Sequence, residues 1–246
     1  MSTPLASVGD LSKQTTKLMN DQYKNLWMWL AGYAALQFAT LFWVAISVPS
    51  AVADGTALSG TVFQVVGVLA IASVLVSLGL LRALVQHAMP QTRLLNYWGA
   101  VAMLLGAGIL VGLMVLGASI ALILPGIWLG VAFSFASLEI LAGGKGIWDA
   151  IMSSFNLVKG RWWGVFGRQI VMGLCIIGFE IVAAIVFGII NWIVGLTHVA
   201  ILITFVSSLL QAALAVGIAY FALCWNLSLY RSLKATYVPA PTPAKS

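Results

Sequence analysis

Charge is what this chain has least of. Only 7% of its 246 residues are Asp, Glu, Lys or Arg, where a soluble domain carries about a quarter. With 62% hydrophobic residues and a mean hydropathy of +1.06, the chain has too little polar surface to cover itself in water, and only lipid solvates that much apolar surface. The six acids, Asp10, Asp21, Asp54, Glu139, Asp149 and Glu180, fall in unrelated segments and form no carboxylate dyad. No His-Glu-x-x-His, Cys-x-x-Cys or Gly-x-Ser-x-Gly motif occurs. The two histidines, His87 and His198, are predicted on opposite sides of a membrane and cannot share a metal. Neither catalysis, a cofactor nor a metal site is expected. Cys175 and Cys224 both lie in apolar stretches and are expected to be packing residues, without a disulfide.

What is present is a series of long apolar runs. A hydrocarbon core about 30 Å thick needs roughly 20 helical residues at 1.5 Å each. Six stretches qualify: 26–47, 61–86, 98–124, 125–142, 164–190 and 199–230. The predicted fold is all-α, a polytopic six-span helix bundle occupying residues 26–234. It is preceded by a polar cytoplasmic segment, 1–25, and followed by a disordered cytoplasmic tail, 235–246, in which Pro239, Pro241 and Pro243 oppose regular structure. Residues 1–25 have no short apolar region followed by a small-residue cleavage site, so the first span is expected to stay in the membrane. Between the third and fourth spans, Leu124-Pro125-Gly126 is the only break, and Pro with Gly suits a sharp reversal. One unbroken helix over 98–142 would run about 68 Å, too long for a bilayer.

With six spans, all twelve Lys and Arg fall on one side. Lys13, Lys17 and Lys24 precede the first span, and Arg82 and Arg93 follow the second. Lys145, Lys159, Arg161 and Arg168 lie between the fourth and fifth, and Arg231, Lys234 and Lys245 close the chain. The opposite segments, 48–60, the turn at Pro125 and 191–198, carry none. By the positive-inside rule both termini are cytoplasmic, in a multi-pass protein of a plasma (inner) membrane. A net charge of +6 would suggest nucleic acid in a soluble protein. Here the cations sit at helix ends, so they read as topology determinants and contacts to anionic lipids of the bilayer, with no nucleic-acid partner. Protein partners are left open.

Aromatic residues stand at the predicted interfaces: Trp27 and Trp29, Tyr97 and Trp98, Trp162 and Trp163, and Trp225 with Tyr230. Similar openings of the odd-numbered spans hint at three tandem hairpins, although interface chemistry alone would produce them. Between the fourth and fifth spans, residues 146–159 show helical spacing with one apolar face, Ile147, Trp148, Ile151, Met152, Phe155 and Val158. This segment is too short to span. It is expected to lie in the interface as an amphipathic helix. A lipid-sensing or gating role is one reading of it; a connector sealing the cytoplasmic side is the preferred one.

The same region carries a resemblance. Leu124-Pro125-Gly126-Ile127-Trp128, then Gly146-Ile147-Trp148-Asp149-Ala150-Ile151, Ser153-Ser154-Phe155 and Leu157-Val158-Lys159-Gly160 with Trp162-Trp163, resembles a pattern in a broad group of bacterial six-helix membrane proteins. These are the membrane domains attached to some glycerophosphodiester phosphodiesterases, together with stand-alone relatives of unassigned function. The resemblance implies an integral membrane domain without catalysis of its own. The phosphodiesterase part of such fusions is a soluble barrel that this sequence does not encode.

Four ionisable residues fall within predicted spans: Arg82, Glu139, Arg168 and Glu180. Each costs about 2.5–3.5 kcal/mol on insertion scales and calls for a partner or a purpose. Glu139 and Arg168 lie at similar depths near the cytoplasmic ends of adjacent spans and are predicted to form an ion pair; Arg82 can snorkel to the surface. Glu180 lies near the middle of the membrane. Ser207, Ser208 and Gln211 of the sixth span and Gln37 of the first come near its level, predicting a polar cluster. That cluster is either a proton or cation site of a small permease or a protonated Glu180 bonded to Gln211 or a hydroxyl as interhelical glue. The leading expectation is a non-enzymatic scaffold or accessory protein in envelope or lipid homeostasis, with a small-solute or ion-coupled permease as the alternative. The pairs Gly108/Gly112, Gly126/Gly130 and Gly160/Gly164, each four residues apart, are read as bundle packing.

Overall fold

A chain in lipid must satisfy its backbone hydrogen bonds internally, and the described residues of this one do so with helices. The computed structural model describes residues 5–53, 60–90, 96–121, 123–196 and 199–237. Among them are eight helices and no strand: α1 Val8–Ala53, α2 Gly60–Ala88, α3 Tyr97–Ala121, α4 Ile123–Phe133, α5 Ala136–Gly143, α6 Ile147–Val158, α7 Trp162–Gly195 and α8 Ala200–Ala235. Six spans are long and apolar enough to cross a membrane, with α4 and α5 together making the fourth. Arg93, His198 and the tail from residue 238 lie outside the described residues, as do residues 54–59 of the 48–60 segment.

Several boundaries differ from the sequence reading. Residues 8–25 of the polar N-terminal segment are helical and continue into the first span, because α1 runs without a break for 46 residues, about 69 Å. Ser7 starts it, its Oγ accepting the Asp10 N–H at 3.1 Å and donating to the Asp10 carboxylate at 2.7 Å, a capping arrangement that satisfies first-turn groups. Leu11, Thr15 and Leu18 form a buried stripe among the lysines. α3 ends at Ala121 and α4 begins at Ile123, so Pro125-Gly126 lies within α4 and not between the two helices; residue 122 lies outside the described residues. Pro125 sits in the first turn of α4, where a missing N–H costs nothing. Gly126 lies so close to Ser119 of α3 that a Cβ would overlap it. Gly108, Gly112 and Gly130 have open space instead, so the first two glycine pairs do not act as close-contact pairs.

The chain folds as two compact units. One comprises Met1–Leu18, Met89–Gln169 and Cys224–Ser246; the other comprises Met19–Ala88 and Ile170–Leu223. In the first, α3 to α6 surround a core of Ala132, Phe133, Ala136 and Ile151, with Leu110, Met114, Leu129 and Phe155 against it. Trp225 and Tyr230 are buried here, so they are core residues and not the interface anchors expected. The amphipathic helix α6 turns much of its predicted apolar face inward, with Ile151 and Val158 buried and Ile147 and Phe155 packed against the core. Ala150, Ile151, Ser154, Leu157 and Val158 are buried, while Trp148 and Met152 stand exposed, because the partner of this face is protein.

In the second unit, the ring of Trp29 on α1 covers Gly79 of α2. Phe38, Phe42 and Phe205 form an aromatic cluster between α1 and α8. The Tyr220 hydroxyl donates to the Met19 carbonyl at 2.9 Å. Of the two cysteines, Cys224 is buried as expected, whereas Cys175 is exposed.

Candidate functional site

The fourth span is discontinuous. Between α4 and α5, Ser134 and Phe135 form a turn, so backbone groups there lose their helical partners. Ser154, fully buried on α6, repairs the break from the side: its Oγ donates to the Ala132 carbonyl at 2.8 Å and accepts the Phe135 N–H at 3.2 Å. One hydroxyl satisfies both halves of a broken helix, and so fixes α6 against α4 and α5.

One turn beyond the break, the Glu139 side chain is completely buried yet ringed by donors. Lys145 Nζ lies 2.8 Å from Oε2, Lys234 Nζ lies 2.9 Å from Oε1, and the Tyr230 hydroxyl donates to Oε1 at 3.2 Å. Both lysines keep side chains more than a third exposed, so one buried carboxylate meets two cations that reach in from the surface. Local chain geometry brings Lys145 there: Gly144 adopts φ 61° and donates its N–H to Ile140, a left-handed cap that reverses the chain. Gly143 leaves room, since a Cβ there would come 3.2 Å from Glu139 Oε2. Lys145 also donates to Ser153 of α6 at 2.5 Å, and the Lys234 ammonium lies 5.5 Å from the Tyr230 ring centroid.

Arg168, the partner expected for Glu139, is engaged elsewhere. Its guanidinium donates to the carbonyls of Ala6 and Leu5, and to Gly164 one turn back at 2.8 Å. The Ala6 N–H in turn donates to Ser232 Oγ of α8 at 3.3 Å. Arg168 therefore holds the residues preceding α1. The expected Glu139–Arg168 pair is replaced by Glu139–Lys145 and Glu139–Lys234. Arg161 similarly donates to Thr236, at its hydroxyl and at its carbonyl, tying the end of α8 to the start of α7. Arg82 is half-buried within α2.

The mid-span polar residues are not drawn into one cluster. Glu180 on α7 and Gln211 on α8 are exposed, Gln37 on α1 is half-buried, and Ser208 is buried. Ser207 Oγ donates to Asn191 Oδ1 at 2.6 Å and shares the Ile203 carbonyl at 2.7 Å. That bond sets the level of α7 against α8. Glu180 is then eleven residues, about 17 Å, along α7 from Asn191, while Gln211 is four residues, about 6 Å, along α8 from Ser207. The two side chains thus differ by about 10 Å in level.

Sequence reasoning missed Lys145, Lys234, Tyr230 and Ser154. Only Lys145 left a local signal, the Gly143-Gly144 pair between it and Glu139. His87 Nδ1 donates to the Ala83 carbonyl at 2.7 Å. Among the described residues, no three His, Cys, Asp or Glu side chains gather as a metal would need. No family model, curated protein or solved structure matches this chain.

Proposed function

We propose that the protein is a non-enzymatic integral membrane protein with a scaffold or accessory role in envelope or lipid homeostasis, resident in a plasma (inner) membrane with both termini cytoplasmic. One observation carries this reading. The most elaborate polar arrangement, the Glu139 cage, spends every group on joining α5, the α5–α6 turn and α8 to one another, which is how a rigid assembly surface is built. The single-sided distribution of Lys and Arg supports the orientation and a contact with anionic lipid at that face. The resemblance around 124–164 to membrane domains that accompany separate enzymes supports an accessory role.

A second reading, a small-solute or ion-coupled permease using Glu180, draws support from the break in the fourth span, since discontinuous helices line many transport sites. Against it, Ser154 fills that break, and Glu180 is three turns from the Asn191–Ser207 bond.

Proteoliposomes carrying a trapped pH dye separate the two. Under an imposed potassium diffusion potential, the scaffold reading expects proton flux equal to that of empty vesicles. Flux above that level, lost in Glu180→Gln, establishes the permease instead. For orientation, reporter fusions at either terminus should read cytoplasmic and an insertion within 48–60 periplasmic; the reverse pattern overturns the topology.

A further inference from the structure

The cage around Glu139 carries more positive charge than it neutralises. One fully buried carboxylate faces two ammonium groups, Lys145 at 2.8 Å and Lys234 at 2.9 Å, and each lysine side chain stays more than a third exposed. An ammonium has three N–H donors. Lys145 spends two, on Glu139 and Ser153, and Lys234 spends one, on Glu139, beside its contact with the Tyr230 ring. The pair is left with unused donors and one net positive charge.

The first compact unit does not supply the missing anion. Its other acids are Asp10 and Asp149, both exposed, and among the described residues the two ion pairs of this unit both belong to Glu139. Arg161 and Arg168 bond the uncharged oxygens of Thr236, Leu5, Ala6 and Gly164, so they add to the same sign. A bilayer provides what the chain lacks. The apolar spans end at Gly143 and Ala235, which puts Lys145 just past one end and Lys234 at the other, the level of lipid phosphates when the spans cross. Trp148, exposed in the first turn of α6, is a residue type that settles at headgroup depth. Glu139 demonstrates that one small oxyanion spans both ammoniums, and a phosphate diester, with its oxygens similarly spaced, can do the same from the exposed side.

We infer that Lys145 and Lys234, held side by side by Glu139, form a binding site for the phosphate of an anionic phospholipid. Glu139 is the positioning residue: its carboxylate fixes the two lysines, and the lipid phosphate completes their charge. This deepens the reading of an accessory protein in lipid homeostasis and rests on it, giving the contact with anionic lipid a defined place.

The test is native mass spectrometry of the delipidated full chain in neutral detergent, titrated with short-chain phosphatidylglycerol, phosphatidylcholine or inorganic phosphate. The parent should hold phosphatidylglycerol roughly tenfold more tightly than phosphatidylcholine, and millimolar inorganic phosphate should not displace it. Lys145→Met or Lys234→Met leaves Glu139 one partner and should weaken phosphatidylglycerol binding about fivefold; both together with Glu139→Leu, which strands no charge, should weaken it by roughly twentyfold. Lys159→Met removes the same charge as either single change from an exposed position and should alter binding less than about twofold, because a solvated charge outside the site is screened. Monodisperse elution and thermal exposure of Cys224 in a Cys175→Ser background verify folding, and the single variants decide the matter if the triple variant does not fold. Equal binding of the two lipids, displacement by inorganic phosphate, parent-like affinity in both single variants, or a loss in Lys159→Met as large as theirs each overturns the inference. Such failure leaves the scaffold reading standing, because that reading is decided by vesicle flux.

Discussion

Lys234, near the end of α8, reaches Glu139 of α5 at 2.9 Å while Lys145 closes on the other carboxylate oxygen at 2.8 Å. Removing the cations and removing the anion should therefore have very different costs. Lys145→Met with Lys234→Met strands a fully buried carboxylate and is expected to destabilise by about 3 kcal/mol or more. Either single change costs less, because one lysine remains. Adding Glu139→Leu to the double variant should restore much of the loss. Thermal exposure of the buried Cys224 thiol in detergent, in a Cys175→Ser background, gives the ranking; a double variant as stable as the parent would mean the cage contributes nothing.

Ser154→Ala removes both bonds at the α4–α5 break and should cost about 1–3 kcal/mol, the usual loss when buried backbone groups are left unmatched. Ser153→Ala, which loses only a bond to the partly exposed Lys145, should cost under about 1 kcal/mol. The same thiol-exposure measurement compares them, and equal effects would refute the bridging role of Ser154.

Arg168→Ala should release the residues preceding α1, which the guanidinium holds by the Leu5 and Ala6 carbonyls. Charge-assisted bonds of this kind contribute about 1.5–3 kcal/mol, so protease cleavage of an N-terminal tag junction is expected to quicken by roughly tenfold or more. Arg168→Lys should give partial protection only, since an ammonium lacks the planar fork. Unchanged cleavage would show that this end is held by other contacts.

Gly79→Ala places a methyl group inside the ring of Trp29 and should destabilise by about 1–3 kcal/mol through overpacking. Trp29→Leu in the same chain should recover part of that by making room. If Gly79→Ala melts with the parent, α1 and α2 do not pack at this point.

Legibility followed the range of the interaction. The six spans could be read because each is a local property: about 20 apolar residues in a row suffice, whatever lies beside them. The buried stripe Leu11, Thr15 and Leu18 was harder, because three positions among Lys13, Lys17 and polar neighbours carry little net hydropathy. The exposure of Trp148 and Met152 on α6 was not legible because they are as apolar as the residues actually buried, and only the neighbours choose between them. Glu139 was recognised as needing a partner, but depth alone could not distinguish Arg168 from Lys145 or Lys234.

Composition and order of residues by themselves determine that this chain lives in lipid as helices, since hydrocarbon solvates apolar side chains and leaves backbone polar groups no other way to pair. They also set which segments carry the positive charge. Only the tertiary structure decided how the few polar groups are used: which cations meet Glu139, that Ser154 mends a helix of another segment, and that Glu180 stands apart from Gln211. Those outcomes depend on register and rotation between helices, which are settled by packing at contacts distant in sequence, and no local pattern encodes them.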